Sequence, residues 1–164
     1  MGEAINPWLH ILAATVWVGP QIFLFVAAVP AVRSVEDAQQ RARALRILTQ
    51  RFGYLAMLAL AVLVITGIGN LYEQDLDTDE LFDLRWGVVF QVKMTLVIIA
   101  VALTALHAMF LGPRLMRMQE ASADGAQIAR LRRISMAVSA IALLISIGII
   151  FCAALMDSSW AVEG

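Results

Sequence analysis

Four long apolar stretches constrain the fold of this chain more than any other feature. They cover residues 7–29, 52–72, 86–111 and 134–156. Each exceeds the roughly 20 residues that a helix needs to cross a hydrocarbon core about 30 Å thick. Because lipid offers no hydrogen-bond partners, each stretch must satisfy its own backbone groups, which predicts helices. We therefore expect an all-α integral membrane protein, with one four-helix domain over residues 1–164.

The composition agrees with this class. Hydrophobic residues make up 61 % of the chain and charged residues 15 %, whereas soluble domains have about 45–50 % and about 25 %. The first stretch follows "MGEA", which is acidic, and it is longer than the apolar region of a signal peptide, so we expect it to be retained. The single cysteine excludes an intramolecular disulfide and a CxxC metal motif. We find no Gly-rich phosphate loop, catalytic triad pattern or strong internal repeat.

Charge is distributed unequally between the connections. The segments between spans 1 and 2 and between spans 3 and 4 contain Arg33, Arg41, Arg43, Arg46, Arg51, Arg114, Arg117, Arg130, Arg132 and Arg133. The connection between spans 2 and 3, "EQDLDTDELFDLR", has six acidic residues and one arginine. The positive-inside rule then predicts that loops 30–51 and 112–133 are cytoplasmic and that both termini face outward, in a bacterial-type inner membrane. Topology accounts for the arginines, so we expect no nucleic-acid partner. The stretch "EDAQQRARALRILTQR" is predicted to form an amphipathic lead-in to span 2.

Three ionisable residues lie inside the predicted spans: His10, Lys93 and His107. An ionisable group at the centre of a bilayer costs about 3 kcal/mol or more, so such residues normally face the bundle interior and mark function. His10 lies about 5 Å along span 1 from its outer end, and His107 lies about 30 Å along span 3. The two histidines therefore cannot share one metal ion.

Helical spacing groups these residues with other polar side chains into stripes. Thr, Ser and Asn in such stripes commonly serve only as hydrogen bonds between helices. The stripes comprise His10, Ala14, Trp17 and Gln21 in span 1; Thr66 and Asn70 in span 2; Lys93, Ala100, Thr104 and His107 in span 3; and Ser135, Ser139 and Ser146 in span 4.

Span 1 also contains Gly19-Pro20. The proline leaves the carbonyl of Val16 without its helical donor, which predicts a bend in the helix.

Short motifs in three spans resemble a known family. Span 1 contains H-x6-W-x-G at His10, Trp17 and Gly19, and span 2 opens on Arg-Phe and closes on T-G-x-x-N at Thr66, Gly67 and Asn70. Span 3 begins with G-x5-K at Gly87 and Lys93. Together these resemble the membrane domain of copper resistance protein D (CopD), whose superfamily also includes the HemJ-type protoporphyrinogen oxidases.

The resemblance implies two different chemistries. CopD-like proteins are implicated in moving copper inward, whereas HemJ-like proteins use the helix 1 histidine as a haem ligand while oxidising a porphyrinogen. After Gly19 this chain reads "PQIFLFVAAVP", which departs from the HemJ pattern and places copper ahead of haem b. If the protein is an enzyme, it is expected to be a haem-dependent membrane oxidoreductase. An assembly subunit without catalysis is the third alternative.

Candidate ligands follow from donor chemistry, since imidazole, thioether and thiolate suit Cu(I). The candidate metal ligands are His10, Met94, Cys152 and Met156. The candidate cofactor-binding residues are His10, Lys93, His107, Met57 and Trp17, with His107 and Met57 as one axial pair for haem. Cys152 lies about 120° from the face of Ser139 and Ser146, toward lipid or a neighbouring helix. Besides the bilayer, a periplasmic metal donor, a redox partner and a homo-oligomer are left open as partners.

Overall fold

The computed structural model describes residues 4–73, 85–121 and 124–158. Within these ranges the chain is helical, without strands, and contains four helices that are long and apolar enough to cross a membrane. The predicted all-α, four-helix membrane fold is therefore confirmed. We number the helices α1 (5–33), α2 (Ala38–Glu73), α3 (85–120) and α4 (Gly125–Met156).

The helices extend well beyond the apolar stretches at their arginine-rich ends. α2 begins at Ala38 rather than near residue 52, which confirms the helical lead-in. The carboxylate of Asp37 accepts a hydrogen bond from the backbone N–H of Gln40 at 2.7 Å, and Asp124 caps α4 through the N–H of Ala126 at 3.2 Å. Such caps satisfy donors that the first helical turn leaves unpaired. At 1.5 Å per residue α2 is about 54 Å long, so its arginine-rich part continues beyond the hydrocarbon core.

The chain divides into two compact units, residues 1–76 and 77–164. Each is a hairpin of two packed helices: α1 with α2 in the first hairpin, and α3 with α4 in the second. That the two hairpins act as a single domain stays a prediction. The acidic connection between them falls on residues 74–84, which lie outside the described part of the chain.

Small and polar residues line the contact inside each hairpin. In the first hairpin Ala13, Trp17 and Ala59 are buried, and the rings of Phe23 and Phe52 meet at 6.4 Å toward the loop end. The buried residues of the second hairpin include Gly87, Val89, Ala100, Ser135, Ala142 and Ser146. Small side chains let helix backbones approach closely where water provides no hydrophobic drive. Five residues of the predicted polar stripes are buried: Trp17, Thr66, Ala100, Ser135 and Ser146.

Large apolar side chains cover the outward faces. Val26 is 73 % exposed, Ile65 70 %, Ile98 69 % and Phe151 62 %. In water such a surface would aggregate, whereas in a bilayer it is the surface that contacts acyl chains. The exposure pattern therefore supports the membrane assignment independently of helix length.

Each hairpin contains a five-residue π-helical segment in its first helix, Leu24–Ala28 in α1 and His107–Leu111 in α3. In both cases a proline, Pro30 or Pro113, is the second residue after the segment. Proline lacks an N–H and clashes with the carbonyl four residues earlier, and the wider π turn accommodates this defect. Helix α1 also continues through Pro20, since the α-helical part ends only at Phe23. The π segment is thus an irregularity of α1 that was not predicted from the sequence, and the bend at Gly19-Pro20 stays a prediction.

Candidate functional site

His10 of α1 lies against Thr66 of α2 in the first hairpin. The imidazole Nδ1 and the Thr66 hydroxyl oxygen are 2.8 Å apart. His10 is partly buried, and only 4 % of Thr66 is exposed. Gly67 stands beside the imidazole, because a Cβ there would lie 3.5 Å from His10 Cε1. The T-G-x-x-N segment of α2 thus forms the surface on which the histidine rests.

The hydrogen bonds of Thr66 favour one tautomer of His10. The Thr66 hydroxyl oxygen lies 2.7 Å from Val62 O and 3.4 Å from Leu63 O, both backbone acceptors of its own helix. With its proton donated to Val62 O, the hydroxyl oxygen accepts from His10 in the tautomer that is protonated at Nδ1, and this is the tautomer that we infer. In a neutral imidazole the lone pair then belongs to Nε2. A metal-binding histidine commonly has this arrangement, with one nitrogen donating to a neighbouring group and the other holding the metal.

A second set of polar contacts between α1 and α2 lies one helical turn closer to the N-terminus of α1. The Asn6 amide donates to Asn70 Oδ1 at 2.7 Å and to the carbonyl of Thr66 at 3.2 Å. Gly69 makes room for this amide, because a Cβ at Gly69 would lie 2.7 Å from Asn6 Nδ2. The sequence analysis did not single out Asn6. Its signal was the matching spacing of four residues in Asn6/His10 and Thr66/Asn70, which places two polar pairs on facing helices.

Two more residues of the α1 stripe lie deeper in the first hairpin. Trp17 is 6 % exposed, so its side chain forms part of the packed contact between the helices. Gln21 is partly buried, and its amide donates to the carbonyl of Trp17 at 3.0 Å. The role of Trp17 in binding a cofactor stays a prediction.

Lys93 of α3 and Cys152 of α4 lie at about the same height of the second hairpin, because His107 contacts Ser135 and Ser139 and both residues are about four turns from that level. Cys152 is 8 % exposed. Of the two orientations predicted from its helical angle, toward lipid or toward a neighbouring helix, the second is therefore correct. Lys93 precedes its π segment by the same number of residues as His10 precedes the π segment of α1. The pair Lys93/Cys152 thus occupies in the second hairpin the position that His10/Thr66 occupies in the first.

His107 lies nearer the loop end of the second hairpin, at the first residue of the π segment. Its Nδ1 is 3.4 Å from the hydroxyl of Ser139 and 3.5 Å from that of Ser135. The two serines are one turn apart on the same face of α4, so both hydroxyls lie near the same nitrogen of the imidazole. The predicted stripes of α3 and α4 therefore meet at this histidine.

The methionine candidates are distributed over both hairpins. Met57 belongs to α2 and is 49 % exposed, while His107, its predicted axial partner for haem, belongs to α3. Met94 and Met156 are partly buried in the second hairpin. Met156 lies one turn beyond Cys152 on α4, so the thioether and the thiol are neighbours on one helix face.

No cluster of three or more His, Cys, Asp or Glu side chains with metal-binding geometry occurs within the described residues. A closed site built from such ligands alone is therefore absent from that part of the chain. A site for Cu(I) needs fewer ligands and accepts thioethers, which the methionines supply. The donors that are present fit a soft monovalent cation better than zinc.

Comparison with known families identifies the chain. The family model for copper resistance protein D matches residues 46–156, which is more than half of the chain. The protein belongs to the CopD family. It is thus a multi-pass membrane protein related to copper resistance. A search of curated proteins and a search of solved structures each found no match.

The matched range shows which parts of the CopD resemblance are supported. It begins inside α2 and ends with α4, so that Thr66, Lys93, His107 and Cys152 all lie within it. Helix α1, with His10 and Trp17, lies before it. The assignment of His10 as a candidate ligand therefore depends on its contact with Thr66, which is a residue of the matched region.

Proposed function

We propose that this CopD protein binds copper within the membrane through the imidazole of His10 and takes part in moving it across the bilayer. The observation that carries the proposal is the 2.8 Å contact of His10 Nδ1 with Thr66 Oγ1. Because the Thr66 proton is already directed at Val62 O, this contact gives Nε2 the lone pair that a metal ligand needs.

Copper is the cargo in this proposal rather than a resident cofactor. A transported ion must bind well enough to enter and weakly enough to leave, which favours few ligands at each stop. In the first hairpin the imidazole of His10 provides one such ligand for Cu(I). In the second hairpin Met94, Cys152 and Met156 provide soft sulfur donors.

The predicted topology gives this site its place in the cell. Both termini face the outside in a bacterial-type inner membrane, so that His10, near the start of α1, lies in the outer half of the bilayer. We propose that it is the group that first receives copper from the outer side, from a periplasmic donor or from solution. The arginine-rich loops are then on the cytoplasmic side.

The test is the metal content and the absorption spectrum of the detergent-purified protein from copper-supplemented cells. We expect bound copper that His10→Ala removes, and no Soret band before or after reduction with dithionite. A Soret band that His10→Ala weakens would identify a b-type haem protein and contradict the copper proposal. Unchanged cellular copper tolerance after both His10→Ala and Lys93→Ala would instead favour an assembly subunit.

A further inference from the structure

Five arginines gather at the loop end of the second hairpin. All five side chains are exposed, and the two helix segments that bear them, Gly112–Glu120 and α4, contact each other. We call these residues the second-hairpin arginine cluster: Arg114, Arg117, Arg130, Arg132 and Arg133.

The contacts of His107 give the relative heights of these arginines along the hairpin. His107 Nδ1 meets the hydroxyls of Ser135 and Ser139, which aligns residue 107 of α3 with the middle of that turn of α4. From this level Arg114 and Arg130 each lie about 10 Å toward the loop, at 1.5 Å per residue. The remaining three lie within about 5 Å of that height. The cluster is therefore a narrow band around the hairpin rather than a charged tail.

The ends of the apolar stretches predict that the band lies at the level of the lipid phosphates. Arg133 directly precedes the apolar stretch of α4, and Arg114 is the third residue after the apolar stretch of α3. Side chains of this length reach the interfacial layer from such positions. Anionic headgroups in that layer attract basic residues.

The residue type of the cluster favours specific binding of phosphate groups over a non-specific attraction to any negative charge. Every member is arginine, although lysine would satisfy the positive-inside rule equally well. Arginine presents a planar fork that binds phosphate oxygens with two parallel hydrogen bonds, whereas lysine acts as a point charge. The nearby carboxylate of Asp124 accepts a hydrogen bond from the backbone N–H of Ala126.

The loop end of the first hairpin differs in this respect. Arg41 donates from Nη1 to the carbonyl of Val35 at 3.0 Å, which uses one guanidinium to hold the short loop. Glu36 and Asp37 bring two carboxylates into the same loop. Part of the positive charge there is thus engaged within the protein. Its arginines provide a matched control for those of the second hairpin.

We propose that the second-hairpin arginine cluster is a binding surface for the phosphate headgroups of anionic phospholipids. The fork of each arginine binds phosphate oxygens, and the band-like arrangement lets several arginines engage one patch of headgroups. This surface is independent of the copper site, because it lies at the loop end of α3 and α4 and uses no residue proposed to bind metal.

The experiment measures lipid binding to the full-length protein after removal of co-purified lipid. Native mass spectrometry of the protein in detergent, titrated with phosphatidylglycerol or phosphatidylcholine, gives the apparent affinity for each lipid. We expect at least tenfold tighter binding of phosphatidylglycerol. Glycerol phosphate, which has the same headgroup chemistry without acyl chains, is expected not to compete at millimolar concentration. Equal affinity for both lipids would overturn the proposal, and so would effective competition, which would show a site for free phosphate.

Variants locate the binding. The triple variant Arg114→Gln/Arg130→Gln/Arg133→Gln is expected to lose at least tenfold in affinity for phosphatidylglycerol. The control Arg43→Gln/Arg46→Gln/Arg51→Gln removes the same charge from the first hairpin and is expected to stay within twofold of the unsubstituted protein. Equal losses in both would mean that only total charge matters, and the proposal would fail. If the glutamine variant does not insert into the membrane, lysine replacements at 114, 130 and 133 can be used instead, because they preserve the charge and the topology. We expect them to weaken binding severalfold, and full affinity would contradict the role of the arginine fork.

Discussion

At the scale of single residues, the first hairpin depends on one hydroxyl with two tasks. Thr66 donates to the carbonyl of Val62 and accepts from His10 Nδ1. Each hydrogen bond is worth about 1 kcal/mol, but their combination also sets which nitrogen of His10 has the lone pair. Thr66 is therefore a positioning residue for the proposed copper ligand and does not itself touch the ion.

Replacing this hydroxyl tests that role. Thr66→Val keeps the shape of the side chain and removes the acceptor for His10 Nδ1. We expect roughly tenfold weaker copper binding, which is the usual loss when a partner of a metal-binding histidine is removed. Competition with a chromophoric Cu(I) chelator measures it. Thr95→Val is the control, because the Thr95 hydroxyl also donates to the carbonyl four residues earlier, Gln91 O at 2.9 Å, but is exposed. Equal affinity losses in the two variants would refute the positioning role.

Two neighbouring glycines of α2 are expected to respond oppositely to alanine. At Gly69 the new Cβ would meet the Asn6 amide at 2.7 Å, whereas at Gly67 it would meet His10 Cε1 at an ordinary 3.5 Å. Gly69→Ala should lower the free energy of unfolding by about 1 kcal/mol, since two hydrogen bonds of Asn6 are lost and helix propensity returns only part of their value. Gly67→Ala should raise it by up to about 1 kcal/mol.

Unfolding of the two glycine variants in mixed micelles, followed by circular dichroism, measures both changes. If Gly69→Ala proves as stable as Gly67→Ala, the contact of Asn6 with Thr66 and Asn70 does not contribute to stability as described.

At the scale of elements, helix starts were harder to predict than helix existence. Apolar length identified four spans because 20 or more predominantly apolar residues have few other solutions. By itself this criterion places the starts of α2 and α4 too late, since the apolar stretches begin only after the arginines. For α2 the predicted lead-in over residues 36–51 corrected this, whereas no such extension was predicted for α4. Both helices start directly after the capping residues Asp37 and Asp124. A search for apolar stretches does not detect a capping aspartate, because the residue lies in a polar loop.

The π segments were also out of reach of the sequence analysis. The bend predicted at Pro20 stays a prediction, whereas the π segments before Pro30 and Pro113 were not predicted. A proline identifies a missing donor but does not say how the surrounding turns redistribute their hydrogen bonds. The similar layout of the two hairpins was likewise invisible as a repeat, because the pairs His10/Thr66 and Lys93/Cys152 share position but not residue type.

The cap of α4 gives a prediction at this scale. Asp124→Ala is expected to lower the free energy of unfolding by about 1 kcal/mol, because the side chain accepts from the N–H of Ala126. Asp157→Ala is the control, since Asp157 is the C-cap of the same helix through its backbone N–H, which donates to Leu155 O and is kept in the variant. An acidic group is unfavourable at that end, so its removal should be neutral or slightly stabilising. Equal destabilisation by both changes would contradict the capping role of Asp124.

At the scale of the whole molecule, the topology is a prediction from charge alone. Ten arginines in two connections and six acidic residues in the third predict that both termini face outward. The fold supports the membrane class through four long apolar helices with outward apolar faces. The identity of the metal could not be predicted from the sequence in this way. The candidate ligand atoms come from several helices, and the same residue types bind copper and haem iron.

Reporter fusions test the orientation. Alkaline phosphatase at the C-terminus is expected to be active, because it folds outside the cytoplasm, and green fluorescent protein at the same position is expected to be dark. A fusion truncated after Val35 should give the reverse pattern. Bright fluorescence from the C-terminal fusion would invert the topology and place His10 in the inner half of the bilayer.

The most direct test of the copper proposal is a competition titration of the purified protein with a chromophoric Cu(I) chelator. We predict at least a tenfold loss of Cu(I) affinity in His10→Ala. His107→Ala, which leaves the first hairpin unchanged, should stay within threefold of the unsubstituted protein. Unchanged Cu(I) affinity in a folded His10→Ala variant would contradict the account, because the lone pair assigned to His10 Nε2 would then have no part in binding copper.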